Sequence, residues 1–173
     1  MTSGGPFRPG RVDIGPLADH PDAIPVLEEW FEREWAPYYG PEGPGDAERD
    51  LHETTNRDSL PITLVAREDG VLCGTAALKQ ASVSTHPELG PWLAALLVAP
   101  AYRGKGIADR LVQTIEAMAR RMGFQALYVG TNPATDGGSD AESLEDLVRR
   151  RGWRLVDRVE YFVSDAAIYR KEL

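Results

Sequence analysis

The junction between a strand and a helix at residues 98–111, VAPAYRGKGIADRL, places the strongest constraint on what this chain can fold into. An apolar run ends at Pro100, Gly104 and Gly106 follow, and a helical pattern begins immediately after them. Each glycine costs about 1 kcal/mol of helix propensity relative to alanine. The pattern therefore predicts a strand–turn–helix unit that binds a ligand. The ligand would approach the backbone closely at the glycines, and its binding would offset their cost in helix propensity.

The runs on either side of this junction predict the element order β-α-α-β-β-β-α-β-α-β-β. Apolar periodicity indicates helices over residues 22–36 and 104–122, and a weaker, more polar helix is predicted over residues 45–57. Two β-branched runs joined by an Asp-Gly turn predict a hairpin. The sequence SDAE at residues 139–142 fits a capping box for a further helix. This order describes an α/β fold, with one mixed, mostly antiparallel sheet flanked by helices in a single domain.

Length, charge and cysteine content narrow the class of protein. The 173 residues predict one domain over residues 11–173, preceded by a flexible lead-in at residues 1–10. A net charge of −8 argues against nucleic-acid binding. The single cysteine, Cys73, cannot form an internal disulfide, and the sequence shows neither a signal peptide nor a long apolar run. We therefore expect a cytoplasmic protein that does not bind membranes.

Three kinds of phosphate-binding turn can be compared with the glycine-rich junction. A P-loop needs Ser or Thr directly after its lysine, but Lys105 is followed by Gly106. A dinucleotide fingerprint needs a small third residue where this chain has Asp109. The pattern R-x-x-G-x-G/A fits Arg103, Gly106 and Ala108, and it puts unpaired N–H groups at a helix N-terminus, where an anion binds. The alternative is an ordinary glycine-rich turn without a ligand.

The stretch LLVAPAYRGKGIADRL, together with the element order over residues 11–173, resembles the acyl-CoA-binding signature of the GNAT superfamily of N-acyltransferases. The aromatic stretch EWFEREWAPYYG is similar to a subgroup of bacterial GNAT proteins. The resemblance implies acetyl-CoA as the acyl donor, without a metal. It implies that the pantetheine arm lies along Leu96, Leu97 and Val98. The residues that it places around the pyrophosphate are Arg103, Gly104, Lys105, Gly106, Ile107, Ala108 and Asp109.

The resemblance also implies a mechanism, from which this chain departs. A backbone N–H of Leu97 or Val98 is expected to stabilise the oxyanion, an effect worth about 3–4 kcal/mol in known cases. The positions at which relatives carry a general acid or base hold Val148, Gly130 and Trp92. The usual proton carriers are therefore missing.

Substitutes for them are proposed from the remaining polar and aromatic residues. His86 and Tyr39 are candidate catalytic residues, and Trp35, Tyr38 and Tyr39 are candidates for one wall of the acceptor pocket. A solvated loop histidine and ordinary aromatic packing are the alternatives. The acidic residues near Trp35 form either a solvated face or a rim that attracts a cationic amine.

The sequence supports one main functional hypothesis and two alternatives. The first is transfer of an acetyl group from acetyl-CoA to a primary amine of a small-molecule or amino-acid-like acceptor by direct attack. The second is a catalytically silent acyl-CoA-binding regulatory module, suggested by the missing acid and base. The third is an acetyltransferase acting on peptide N-termini. Because relatives are commonly dimeric, a homodimer is also expected.

Overall fold

The computed structural model describes residues 10–132, 142–161 and 164–173. Within these residues the chain forms strands β1 to β7 at Val12–Pro16, Ile62–Glu68, Val71–Lys79, Trp92–Val98, Ala126–Thr131, Arg154–Tyr161 and Ser164–Glu172. Helices α1 to α5 lie at Ile24–Glu34, Ala36–Tyr39, Ala47–Glu53, Ile107–Arg121 and Leu144–Arg150. The predicted α/β fold and element order are confirmed, with the short α2 as an addition. Of the predicted lead-in, only Gly10 is among the described residues.

The strands form one sheet in the order β1-β2-β3-β4-β5-β7-β6. Neighbouring strands are antiparallel except for β4 and β5, which are parallel and share only the pairs Trp92–Tyr128 and Leu93–Val129. Beyond these two pairs the strands separate, so the rest of β4 has no ladder partner on that side among the described strands. The predicted hairpin is confirmed between β2 and β3, where Asp69 and Gly70 have positive φ angles of 50° and 84°.

Helices cover both faces of the sheet. On one face, α4 buries Leu111 and Ile115 against apolar residues of the central strands. On the other, α1 and α3 bury Leu27, Phe31 and Leu51. The sheet is therefore enclosed in two apolar layers, and the gap between β4 and β5 opens between them.

Two predicted helix boundaries differ from the structure. The helix predicted over residues 22–36 ends at Glu34, because Pro37 has no N–H to donate to the carbonyl four residues earlier. The helix predicted over residues 45–57 is shorter, at Ala47–Glu53. The break after α1 places Trp35, Tyr38 and Tyr39 beside the second half of β4.

The last helix also begins later than its predicted capping box. The residue that caps α5 is Ser143, whose Oγ accepts the N–H of Asp146 at 3.1 Å. The predicted N-cap, Ser139, lies outside the described residues. The side chain of Glu142 instead accepts two hydrogen bonds from Arg150, at 2.9 and 2.8 Å. Glu142 therefore pairs with the end of α5 and does not close a capping box at its start.

Candidate active site

A bulge in β4 separates this strand from β5. Thr75 of β3 pairs with Leu97, but Ala77 pairs with Ala94, so two residues of β4 oppose one residue of β3. Ala95 adopts a φ of 52°, a left-handed conformation that costs about 1–2 kcal/mol for a residue other than glycine. The fold holds Ala95 in this conformation, and the bend directs the second half of β4 along the open gap.

The backbone of Val98 faces the gap. The N–H of Ala99 donates to the carbonyl of Cys73 on β3 at 2.9 Å, and successive residues of a strand direct their backbone groups to opposite sides. The carbonyl of Val98 accordingly points away from β3, where it accepts the Nε–H of Arg103 at 3.0 Å. Of the two residues predicted to supply an oxyanion donor, Val98 therefore presents its N–H to the gap, and Leu97 pairs with β3.

The glycine-rich turn ends in a helix N-terminus with unused donors. Gly104 and Gly106 have φ angles of 77° and 79°, which glycine adopts without strain. The first hydrogen bond of α4 runs from the N–H of Arg110 to the carbonyl of Gly106 at 3.2 Å. The three N–H groups between them, at residues 107–109, therefore have no partner within the helix. A Cβ at either glycine would meet open space, so an anion can reach these groups.

These donors and the open edge of β4 face a common cleft of about 320 Å³, which we call the donor cleft. Every residue predicted to contact the cofactor lines it except Lys105. The ammonium of Lys105 lies 5.1 Å from the centre of the Tyr102 ring and 4.0 Å from a carboxylate oxygen of Glu68. The donor cleft thus joins a backbone anion site to a strand edge, which is the arrangement that a long phosphorylated thioester needs.

Arg103 connects α1 to this cleft. Its guanidinium pairs with Glu34 at 3.0 Å in addition to the Val98 carbonyl, and both side chains of the ion pair are largely buried. Arg103 therefore fixes the end of β4 against α1, and its predicted contact with the pyrophosphate stays a prediction. Asp109 is similarly occupied, since it pairs with Arg150 at 2.7 Å and Arg151 at 3.4 Å.

A second cavity of about 330 Å³, which we call the acceptor cavity, meets the donor cleft beside the bulge. Both are lined by Trp35, Leu96 and Leu144. The polar side chains in the wall of the acceptor cavity are those of Tyr38, Tyr39, Asp50, Lys79, Ser82 and Asn132. The hydroxyl of Tyr39 donates to Asp50 Oδ2 at 2.8 Å. A reactive group at the end of the donor cleft therefore faces a small, partly polar chamber.

The sequence matches the model of the Acetyltransferase (GNAT) family over residues 27–138, which is more than half of the chain. The chain belongs to the GNAT acetyltransferase family. This confirms the family resemblance, and with it acetyl-CoA, the acyl donor of GNAT enzymes, as the predicted cofactor. The sequence itself matches no curated protein sequence.

Solved structures with the same fold include aminoglycoside N-acetyltransferases. One from Enterococcus faecium is 17% identical, with a TM-score of 0.69, covering 92% of this chain and 96% of the other. Another of this type, complexed with coenzyme A, has the same identity and coverage and a TM-score of 0.70. A putative acetyltransferase from Salmonella typhimurium, with its cofactor acetyl-CoA, is 20% identical, with a TM-score of 0.67 and 94% coverage of both chains.

The residues predicted to act in catalysis or acceptor binding lie in two different parts of this GNAT protein. Trp35, Tyr38 and Tyr39 line the acceptor cavity, and their contact with an acceptor stays a prediction. His86 lines neither cavity. Its Nε2 lies 3.0 Å from Asp157 on β6, and this hydrogen bond lowers the pKa of the Asp157 carboxyl. His86 therefore links its loop to β6 and lies outside both cavities, and its catalytic role stays a prediction.

Of the three positions where relatives carry an acid or base, only Gly130 faces a cavity. Val148 and Trp92 are fully buried, and the indole N–H of Trp92 donates to the carbonyl of Leu89 at 2.9 Å. Gly130 lines the acceptor cavity, where an added Cβ would approach Val83 to 3.2 Å. Because glycine has no side chain, the acceptor cavity is wider at this position, where relatives carry an acidic side chain.

Asp50 and Lys79 are the ionisable groups of the acceptor cavity that sequence reasoning missed. Asp50 lies in a helix that the sequence predicts only as weak and polar, and Lys79 ends an otherwise apolar strand. A lysine that terminates a strand usually reaches solvent, so only the fold reveals that this one faces a cavity.

Two further searches apply to the described residues alone. None of their helices has both the length and the apolar character needed to cross a membrane. They also contain no cluster of three His, Cys, Asp or Glu side chains arranged to hold a metal ion.

Proposed function

We propose that this protein transfers the acetyl group of acetyl-CoA to a primary amine of a small acceptor bound in the acceptor cavity. The observation that carries the proposal is the meeting of the two cavities at Leu96, beside the exposed edge of β4. A thioester held along that edge has its carbonyl at the mouth of the acceptor cavity. An amine bound there attacks without needing a covalent enzyme intermediate.

The donor is held by backbone groups. The pyrophosphate binds the free N–H groups of residues 107–109 at the positive end of α4, where a helix N-terminus favours an anion. The pantetheine arm follows residues 96–98, and the N–H of Val98 donates to the thioester carbonyl oxygen. When the amine nitrogen attacks the carbonyl carbon, this oxygen becomes negative and the fixed donor stabilises it. The C–S bond then breaks and coenzyme A leaves as a thiol.

Proton removal from the acceptor amine is assigned to Asp50. Its carboxylate lies in the wall of the acceptor cavity and is oriented by the Tyr39 hydroxyl at 2.8 Å. A carboxylate in this place binds the ammonium form of the acceptor and removes one proton from it, directly or through water, before the attack. The neutral amine then attacks the carbonyl carbon, and the nitrogen loses its second proton to the departing thiolate as the C–S bond breaks.

Replacing Asp50 with Asn should lower kcat/KM about 100-fold, since a positioned proton acceptor contributes 10²–10⁴-fold in enzymes. Tyr39→Phe should cost less, because it removes only the hydrogen bond that orients the carboxylate. Neither change touches the donor cleft, so coenzyme A affinity should stay that of the wild type. Steady-state rates with a fixed amine, with calorimetry for coenzyme A, measure both effects. Wild-type turnover by Asp50→Asn would contradict the assignment.

The proposal is tested by measuring free thiol release from acetyl-CoA in the presence of a panel of small primary amines. Amine-dependent thiol release, with the N-acetylated product identified by mass spectrometry, is the expected result. Tight coenzyme A binding without release on any amine would favour a silent binding module instead. The Asp50–Tyr39 pair in the acceptor cavity favours catalysis over that alternative, because a silent module has no use for an oriented carboxylate beside the thioester.

Two further expectations accompany this proposal. The one cysteine, Cys73, is a buried free thiol, which agrees with a reducing compartment such as the cytoplasm. A homodimer stays a prediction, to be measured by light scattering of the purified protein.

A further inference from the structure

We infer that the acceptor carries a carboxylate beside its amine, as an amino acid does, and that Lys79 binds this carboxylate in the acceptor cavity. The inference rests on the proposed acetyl transfer and specifies the substrate class for it. It follows from the position of Lys79, from its lack of an ion-pair partner among the described residues and from the charges that line the cavity.

The alternation of β3 places Lys79 on the acceptor side of the sheet. Leu78 belongs to the core beneath α4, and side chains of successive strand residues point to opposite faces. Lys79 therefore faces the side covered by α1 and α3, at the end of β3, where it pairs in register with Trp92. Its side chain is partly buried and lines the acceptor cavity.

The ammonium of Lys79 has no anion within ion-pair distance among the described residues. Burial lowers the pKa of Lys79, and the more distant carboxylates of Asp50 and Glu53 only partly oppose this effect. One Asp50 oxygen already accepts the hydroxyl of Tyr39. A charge removed from water without a partner is costly, so an anion that enters the cavity gains a charge-assisted contact there.

The charges around the cavity fit a zwitterion. Its lining residues include one ammonium, that of Lys79, and one carboxylate, that of Asp50. An α-amino acid presents an ammonium and a carboxylate on the same carbon, so it can meet both groups at once. Among the clustered acidic residues of α1, Glu29 and Glu32 are exposed and Glu28 is half-buried, and none of them lines the cavity. A polycationic acceptor such as an aminoglycoside therefore meets a cation in this cavity and too few carboxylates.

The test compares common amino acids with their carboxamides, which keep the amine and side chain but lack the carboxylate. We expect the wild type to prefer the acid form of its best substrate. Lys79→Met should lower kcat/KM for the acid about 10–100-fold, mainly through KM, and leave the amide nearly unchanged. Lys79→Arg should keep most of the preference. Because each acid-to-amide ratio is compared between variants, intrinsic differences in amine reactivity cancel.

The possible outcomes separate this inference from the proposed function. Equal loss on acid and amide, seen in kcat, would assign Lys79 to the transfer step and overturn the inference. Equal use of both by the wild type would also overturn it, while the acetylation of amides would still support the proposed function. Absence of thiol release on every amine would overturn the proposed function and this inference with it. Unchanged coenzyme A affinity of the Lys79 variants shows that they fold.

Discussion

The variant Gly106→Asp is expected to lose coenzyme A binding by at least about 100-fold, because two or more charge-assisted hydrogen bonds to the pyrophosphate are lost. The new carboxylate would lie at the N-terminus of α4, where it would occupy the anion site and repel the phosphates. No atom of the described residues lies within 4 Å of the added Cβ, so this part of the fold has room for the side chain. Titration calorimetry with coenzyme A measures the loss, and circular dichroism verifies the fold.

Gly123→Asp is the matched control. Gly123 follows the C-terminal end of the same helix with a φ of 89°, and a Cβ there also meets nothing within 4 Å. Both substitutions place an aspartate in a left-handed conformation at a cost of about 1–2 kcal/mol. Only the change at Gly106 is expected to affect coenzyme A. Equal losses of affinity in the two variants would show that strain, and not an occupied phosphate site, explains the effect.

Most of the donor cleft could be predicted from the sequence because its signals are local. Gly104, Gly106 and the apolar pattern of α4 lie within one short segment, and the family signature covers the same residues. The ion pairs of the charged side chains in this cleft could not be predicted in the same way. Arg103 is held by Glu34, which lies in a helix far away in sequence. Spacing along the chain indicates where backbone donors will be, but it does not show which distant carboxylate will neutralise a side chain.

The acceptor cavity could be predicted only in part because it is assembled from distant segments. The aromatic residues after α1 were recognised as a wall, since they form a conspicuous group in the sequence. Asp50 and Lys79 lie on separate elements, and no local pattern relates them. The left-handed conformation of Ala95 could not be predicted either, because alanine is common in strands and gives no signal of a bulge. Asp50, the proton acceptor that we propose, could therefore be selected only from the fold, which places it in the wall of the cavity.

The second large effect concerns stability, and it depends on the buried carboxylate of Glu116. Glu116 is only 4% exposed, and its two carboxylate oxygens accept hydrogen bonds from Arg151 at 3.1 and 3.0 Å. Lys171 of β7 lies 3.1 Å from the same carboxylate, and the hydrogen bond to Glu116 raises the pKa of Arg151. This cluster joins α4 to the end of α5 and to β7, so we call it the Glu116 cluster.

Arg151→Met should destabilise the protein by about 3 kcal/mol, because removing one partner leaves a buried charge that is only partly compensated. Lys171→Met should cost less, since the bidentate arginine remains. Glu116→Gln combined with Arg151→Met should cost less than the sum of the two single changes, because the double variant leaves no buried anion. Urea unfolding followed by tryptophan fluorescence gives these free energies.

Arg150→Met provides the comparison within the same run of arginines. Arg150 also makes two ion pairs, with Asp109 at 2.7 Å and Glu142 at 2.8 Å, but its side chain is 51% exposed. Exposed pairs contribute at most about 1 kcal/mol, so this variant should stay close to the wild type in stability. Comparing Arg150→Met with Arg151→Met tests whether burial or the number of ion pairs determines how much an arginine contributes to the free energy of unfolding. Equal destabilisation by the two arginine variants would contradict the role assigned to burial of Glu116.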